Sequence, residues 1–388
     1  MQKRSNVRVQ ARRWRRAFAG VVGALAVGAA ACKSDSNSLT GTSTAVIDQV
    51  SLGTVPIGAA SNDLATPPSA PNAQMQAVIA QVMASHAIPP YMLSPAQARN
   101  QPTPRDAVIA TLAVQGRPAS SAVEPVANVV HRTIPGPGGA ILTRIYTPAG
   151  SGPFPVLVYY HGGGWVLYDL DTYDASCRAL ANAAGAVVVS VAYRRAPEHK
   201  FPAAADDAFA AYRWALDSAA VINGNPAKVA VGGESVGGNL AAVVALMARD
   251  KNVKLPVHQL LIYPVVDFNF DTPSYHENAN APFFIRQTGQ WAFDKYLRTQ
   301  ADGANPYVSP LRADLKGLPS ATVITSQLGV LRSEGQAYAA KLTAAGVPTV
   351  YQNYDGVTHE FFGMGAVLDQ AKAAVALAAA QLKKSYGT

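Results

Sequence analysis

The chain has 388 residues, 49% of them hydrophobic, and a formal net charge of +8. Seven of its 32 lysines and arginines precede residue 32, where no acidic residue occurs, which leaves 25 basic residues against 24 acidic ones. Beyond this segment the chain is nearly neutral and lacks the clustered basic residues of a nucleic-acid-binding protein. We therefore expect no nucleic-acid partner. Its length and composition allow a large hydrophobic core.

The N-terminal segment predicts export. Residues 1–31 combine a basic start with a small-residue apolar stretch that is too short to act as a stop-transfer helix. Cys32 follows three alanines and precedes a polar run, a pattern similar to a bacterial lipoprotein attachment site, although an ordinary cleavage site also fits. We expect an exported protein whose only membrane contact is a lipid on Cys32 at the cell envelope, and otherwise a periplasmic or secreted one. Residues 32–72 are rich in Ser, Thr and Pro and suit a tether.

The folded domain is expected over residues 73–388. Helical apolar spacing begins at 74–83, and further helices are predicted at 203–220, 238–246 and 334–345. Nearly continuous apolar runs predict strands at 156–160, 187–193, 228–232, 259–266 and 320–326, with another at 347–354. This alternation predicts an α/β fold whose mostly parallel sheet carries helices on both faces. A ligand then belongs at the carboxyl ends of the strands.

The first motif with chemical content is His161-Gly162-Gly163-Gly164-Trp165, directly after a predicted strand. Three glycines here allow backbone N–H groups to turn toward a ligand and stabilise a developing oxyanion. A flexible turn or a phosphate loop is the alternative, but no Lys-Ser/Thr pair follows the glycines. We therefore predict that the N–H groups of Gly163 and Gly164 belong to an oxyanion hole.

The second motif is Gly233-Glu234-Ser235-Val236-Gly237, a G-x-S-x-G sequence between a predicted strand and a predicted helix. That context is typical of a nucleophile elbow, in which a sharp turn exposes the serine hydroxyl. Ser235 is the predicted nucleophile, and the N–H of Val236 is the predicted third oxyanion donor. In the fold that carries nucleophile elbows the base follows the serine in the chain, and the predicted base is His359, which lies in a turn after the last predicted strand.

Six segments of the chain match motifs of one protein family and occur in the same order as in that family. They are HGGGW, YRRAPEHKFPAA at 193–204, GESVGGN, LLIYPVVD at 260–267, PYVSPLRADLKGLPSA at 306–321 and YDGVTHEFFGM at 354–364. From about residue 75 onward the chain resembles the bacterial hormone-sensitive-lipase-like carboxylesterases of the α/β-hydrolase fold. The resemblance implies a helical cap built from about 73–110 and 272–300, and short to medium acyl substrates. Aromatic residues 283, 284, 291, 293 and 296 either line an acyl pocket or belong to the core.

The resemblance fails at the catalytic acid, because the position of the family's aspartate is Gly329. Glycine cannot orient an imidazole or stabilise an imidazolium, and loss of the acid costs about 10⁴-fold in related chemistry. Three possibilities remain: Asp267, at the end of the neighbouring strand, takes the role; Ser235 and His359 work as a dyad; or catalysis is crippled. Glu334, Asp355 and Glu360 are interpreted as a helix-start, a turn and a solvent-facing group.

The predicted function is that of a serine carboxylesterase that forms an acyl-enzyme on Ser235. A catalytically weak fold that binds a small hydrophobic ligand, or an acyltransferase, is the alternative. The sequence has no metal-ligand cluster, and we expect no cofactor. Cys177 is interpreted as a small residue of a helix core, and the sequence does not predict the oligomeric state.

Overall fold

A computed structural model describes residues 70–388, and their centre is one eight-stranded sheet. In chain order its strands are β1 Asn128–Gly136, β2 Gly139–Thr147, β3 Phe154–Tyr160, β4 Val187–Val191, β5 Gly224–Glu234, β6 Gln259–Ile262, β7 Ala321–Ser326 and β8 Thr349–Tyr354. Their spatial order is β1-β2-β4-β3-β5-β6-β7-β8. Pairing is antiparallel from β1 to β4 and parallel from β4 to β8. The predicted α/β-hydrolase fold with a mostly parallel sheet is therefore confirmed.

Ten α-helices accompany the sheet within residues 70–388. They are α1 Ala73–Ala84, α2 Pro95–Ala98, α3 Pro104–Val114, α4 Asp174–Ala184, α5 Ala203–Ser218, α6 Val236–Asp250, α7 Pro273–Glu277, α8 Arg286–Tyr296, α9 Arg332–Ala344 and α10 Asp369–Tyr386. Side-chain caps set several starts, as where the hydroxyl of Thr103 and the carboxylate of Asp106 close a capping box on α3. Gly185, with a positive φ of 60°, ends α4.

The sheet separates two hydrophobic clusters, so that helices cover both of its faces. Val156 and Val158 of β3 point into a cluster with α5, α6 and α9, whereas Leu157 and Tyr159 point into one with α1, α3, α4 and α10. Because successive side chains of a strand point to opposite faces, a strand covered on both sides must be apolar throughout. All seven residues of β3 are accordingly buried.

Two strands of the sheet were not predicted from the sequence. β1 and β2 form an antiparallel hairpin at the edge of the sheet, and β1 is exposed along most of its length, so its sequence has no continuous apolar run. β6 ends at Ile262 rather than at residue 266, because Tyr263 has a φ of 34° and the chain leaves the ladder there. The remaining predicted strands and helices are present with end shifts of a few residues.

The export signal, Cys32 and most of the tether lie outside the described residues. Between 70 and 388, no helix is long and apolar enough to cross a bilayer. The segments expected to form the cap contain α1, α2 and α3 in one case and α7 and α8 in the other.

Candidate active site

Ser235 lies at the turn between β5 and α6, with φ 58° and ψ −119°. This conformation is rare for a residue with a side chain and is the strained turn of a nucleophile elbow. The neighbouring backbone leaves no room for a side chain at either of the two glycines that flank Ser235. A Cβ on Gly237 would lie 1.9 Å from the carbonyl oxygen of Tyr160, and one on Gly233 would lie 2.4 Å from the same atom. The two glycines are therefore required by close backbone approach.

His359 lies in the loop after β8 and meets Ser235 directly. Its Nε2 is 3.0 Å from Ser235 Oγ, the distance of a hydrogen bond in which the serine hydroxyl donates. The rings of Tyr263 and Phe284 pack against the imidazole at centroid distances of 4.6 Å and 5.1 Å. Burial lowers the pKa of His359 to about 3, so the imidazole is neutral and able to accept a proton.

The glycine loop after β3 lies beside the serine. Gly163 and Gly164 line one pocket with Ser235 and have φ values of 98° and 63°. In the described part of the chain their N–H groups make no hydrogen bond to another residue. Val236 is the first residue of α6, where backbone N–H groups have no intrahelical partner. These three donors can act on a negative charge that forms next to Ser235.

Two side chains hold the glycine loop in place. His161 is buried, stacks on Tyr193 at 4.3 Å, and lies 2.8 Å from the carbonyl oxygen of Gly162 through Nδ1. Arg99, which follows α2, donates through Nε to the carbonyl oxygen of Val166 and pairs with Glu198 at 2.7 Å. The expected cap and the oxyanion loop are thus tied to each other.

Asp267 does not reach His359. Its Oδ1 accepts a hydrogen bond from Arg312 Nε at 2.6 Å, and the ion pair occupies the carboxylate. His359 Nδ1 has no hydrogen-bond partner among residues 70–388. The interpretation of Asp267 as the catalytic acid therefore needs correction, because its salt bridge with Arg312 directs it elsewhere.

Gly329 lies where β7 has just ended, beside the turn that leads to His359. Leu328 N–H donates to the carbonyl oxygen of Val357, two residues before His359. A Cβ on Gly329 would lie 2.3 Å from Ser326 Oγ, so the Ser326 side chain fills the space in which a side chain at 329 would begin. That buried hydroxyl also lacks a partner within the described part of the chain.

Glu360 corrects another expectation, because its side chain is only 6% exposed and faces the site instead of solvent. Its Oε1 lies 3.9 Å from His359 Nε2. The Tyr173 hydroxyl lies 3.1 Å and 3.0 Å from its two carboxyl oxygens and donates to them. Burial and the nearby Glu234 raise the pKa of Glu360 to about 8. Nothing in the pattern around His359 distinguished this glutamate, since its inward direction comes with a left-handed backbone, φ 69°.

The other carboxylates occupy structural positions. Glu334 lies in the first turn of α9 as expected, buried, and accepts a hydrogen bond from the Val266 N–H at 2.7 Å. Asp355 accepts one from Asn353 in the turn after β8. Cys177 is fully buried in α4, as interpreted from the sequence. No group of three His, Cys, Asp or Glu side chains in residues 70–388 could hold a metal ion.

A large cleft adjoins the pocket of Ser235. It has a volume of about 750 Å³ and is lined by the segments 79–91, 98–110 and 280–288 together with Leu167 and Tyr168. Phe283 and Phe284 line both the cleft and the serine pocket, and Trp291 lines the pocket. Phe293 and Tyr296 instead belong to the buried core, where Trp165 packs against both rings. The aromatic group of the second cap segment therefore divides between pocket and core.

Comparisons with known proteins give consistent results. A family profile described as the alpha/beta hydrolase fold matches residues 157–363. The carboxylesterase NlhH of Mycobacterium tuberculosis is 41% identical over 254 residues, 63% of this chain and 78% of that protein. The carboxylic ester hydrolase LipN of the same organism is 44% identical over 244 residues, 61% of this chain and 65% of that protein. The solved structure of a hyperthermophilic esterase from the archaeon Pyrobaculum calidifontis has 38% identity and a TM-score of 0.74, covering 81% of this chain and 98% of that one.

Proposed function

The chain belongs to the family of α/β-hydrolase-fold carboxylic ester hydrolases, and we propose that it cleaves short- to medium-chain acyl esters through an acyl-enzyme on Ser235. The observation that supports this assignment of residues is the 3.0 Å contact between Ser235 Oγ and His359 Nε2, with three N–H groups beside it.

In the acylation step, Ser235 Oγ attacks the ester carbonyl carbon while its proton moves to His359 Nε2. The carbonyl oxygen becomes an oxyanion, which the N–H groups of Gly163, Gly164 and Val236 stabilise. The carbon–oxygen bond to the alcohol then breaks, and the leaving oxygen takes the proton from Nε2. In the second half, water attacks the acyl-enzyme with the same proton transfers, and the acid product leaves Ser235 free.

We further propose that no carboxylate acts on His359 Nδ1. Asp267 is paired with Arg312, and residue 329 has no side chain. The packing of Tyr263 and Phe284 against the imidazole orients the ring in place of an acid's hydrogen bond. An enzyme of this kind retains the oxyanion hole, which together with substrate binding still gives about 10³–10⁴-fold catalysis over water in related systems.

The substrate preference is proposed from the cleft. Its apolar lining continues the serine pocket through Phe283 and Phe284, so an acyl chain attached to Ser235 can extend into it. Each buried methylene is worth about 0.8 kcal/mol. We therefore expect kcat/KM to rise from acetate to longer acyl groups until the chain fills the cleft.

The test is hydrolysis of p-nitrophenyl butyrate by residues 33–388 as wild type, Ser235→Ala, His359→Asn and Asp267→Asn. We expect the first two substitutions to reduce kcat by about a hundredfold or more, the margin that remains in a triad-type site without its acid, and Asp267→Asn to stay within tenfold of the wild type. A wild type no faster than Ser235→Ala would reject the esterase assignment. A loss of a hundredfold or more in Asp267→Asn at unchanged stability would restore Asp267 as the acid.

The cellular location is also a proposal: the protein is exported and anchored by lipid on Cys32, which precedes a tether of about 40 residues. Expression of the full chain with radiolabelled palmitate tests it. We expect label and membrane association in the wild type, and neither in Cys32→Ser. Label-free, soluble wild-type protein would favour an ordinary cleavage site.

A further inference from the structure

The carboxyl group of Glu360 lies in the Ser235 pocket, on the Nε2 side of His359. Its Oε1 is 3.9 Å from Nε2, and the same pocket is lined by Ser235, Gly163 and Gly164. Nδ1, where the acid of a triad acts, faces no hydrogen-bonding group within residues 70–388. The buried carboxyl group of Glu360 therefore lies beside Nε2, the His359 nitrogen that exchanges the proton with Ser235.

Two features hold this carboxyl group in position. The backbone of Glu360 is left-handed, φ 69° and ψ 5°, a conformation that is costly for a residue with a long side chain and persists where its surroundings enforce it. The Tyr173 hydroxyl, at the start of α4, lies within 3.1 Å of both carboxyl oxygens. The Tyr173 ring also stacks on the ring of His161 in the oxyanion loop, with 6.0 Å between the ring centroids.

We propose that Glu360 is a positioning residue whose carboxylate stabilises the His359 imidazolium during ester cleavage, in place of a carboxylate on Nδ1. This inference rests on the proposed function. The proton of Ser235 moves to Nε2 and from there to the leaving alcohol, and Glu360 exchanges no proton with the substrate. Its contribution is a negative charge 3.9 Å from the nitrogen that becomes transiently positive.

The proposal makes the rate depend on the ionisation of Glu360. Burial first, and then the charge of Glu234 at the end of β5, raises the pKa of Glu360 to about 8, while the Tyr173 hydrogen bond opposes the rise. Tyr173, Tyr168 and Tyr263 also face this carboxyl group, and burial raises the pKa of all three, so they stay neutral. His359 is neutral throughout the range, with a pKa of about 3. We therefore expect kcat/KM to increase as the pH rises through about 8.

The experiment is the pH profile of kcat/KM for p-nitrophenyl butyrate between pH 6 and 10, corrected with Ser235→Ala. Glu360→Gln has the same size and can still accept from Tyr173, but it cannot ionise. We expect the wild type to gain about tenfold or more between pH 7 and 9, and Glu360→Gln to lose that gain while changing little at pH 6. Melting temperatures of both proteins establish that they are folded at each pH.

Tyr173→Phe tests the same claim without altering residue 360. It removes the hydrogen bond that lowers the pKa of Glu360, so the rise in kcat/KM should move to higher pH. An unchanged rise in Glu360→Gln, or an equal loss at every pH as a packing defect would give, overturns the proposal. A wild type at the level of Ser235→Ala rejects the proposed function instead, and the two failures are therefore distinguishable.

Discussion

Three residues around the ring of His359 determine what this site can do. Ser235 is hydrogen-bonded to Nε2, Glu360 lies 3.9 Å from the same nitrogen, and the ring of Tyr263 packs against the imidazole. A buried imidazole with a pKa of about 3 is a weak base, whereas general bases work best with a pKa near the working pH. Any added negative charge near this ring is therefore expected to increase its basicity and the rate.

Placing an acid at position 329 tests whether a negative charge on the Nδ1 side of the His359 ring also increases the rate. Gly329→Asp alone would force its Cβ to within 2.3 Å of Ser326 Oγ, so it should be combined with Ser326→Ala. We expect the double variant to raise kcat of p-nitrophenyl butyrate hydrolysis by about tenfold or more at pH 7, since an acid on Nδ1 is worth up to about 10⁴. Ser326→Ala is the matched control and should resemble the wild type, because its hydroxyl has no partner within residues 70–388.

The motifs pointed to Ser235 and His359, which the structure places in hydrogen-bond contact, but not to Glu360 beside them. The positions of Ser235, His359 and the glycine loop follow from turns at strand ends, which sequence patterns encode. The direction of Glu360 depends on a left-handed residue and on Tyr173, 187 positions away along the chain. No local pattern carries that information, and an acidic residue in a loop is usually solvated.

At the scale of elements, the elbow between β5 and α6 depends on backbone contact. Gly237→Ala would bring a Cβ to 1.9 Å from the Tyr160 carbonyl oxygen in β3, and β3 cannot move without disturbing its neighbours. We expect a loss of about 3 kcal/mol or more in the free energy of unfolding, measured in urea. Gly185→Ala is the control: nothing lies within 4 Å of a Cβ built there, so only its positive φ of 60° opposes the substitution, at about 1 kcal/mol. Equal losses would contradict this account of the elbow.

The cleft between the cap segments leads to a separate prediction about the length of the acyl chain that the enzyme prefers. Ala110 of α3 lines the cleft, so Ala110→Trp should fill part of it. We expect this variant to lower kcat/KM for p-nitrophenyl hexanoate by about tenfold while leaving the acetate within about twofold, as two lost methylene contacts would cost about 1.6 kcal/mol. Ala113→Trp, on the exposed side of the same helix, is the matched control. Equal effects on acetate and hexanoate would place the acyl chain elsewhere.

Strands could be predicted from the sequence where burial of both faces requires an apolar residue at every position. β3, β4, β6 and β7 are of this kind, and every one of their residues is buried. The hairpin of β1 and β2 was missed because an edge strand with one solvated face shows no continuous apolar run. The early end of β6 depends on the conformation of Tyr263, which packs on His359 and donates to Glu234.

At the scale of the whole molecule, buried carboxyl groups should make folding stability depend on pH. The pKa of Glu360 rises from 4.5 to about 8, so the folded protein holds a proton that the unfolded chain loses above pH 4.5. Stability from this group is therefore full below pH 4.5 and is lost as the pH rises toward 8. We expect the free energy of unfolding to fall by a few kcal/mol more between pH 5 and 9 in the wild type than in Glu360→Gln. Parallel curves for the two proteins in urea titrations would contradict this assignment.

The central claim is that Ser235 is a nucleophile activated by His359. Its most direct test is the intact mass, followed by peptide mapping, of the protein after reaction with a p-nitrophenyl alkylphosphonate, which traps the nucleophile in a stable tetrahedral ester. The account predicts one adduct per chain, on the peptide that contains Ser235, forming much more slowly in His359→Asn. An unmodified Ser235, or an adduct on another residue at the same rate in both proteins, would contradict it.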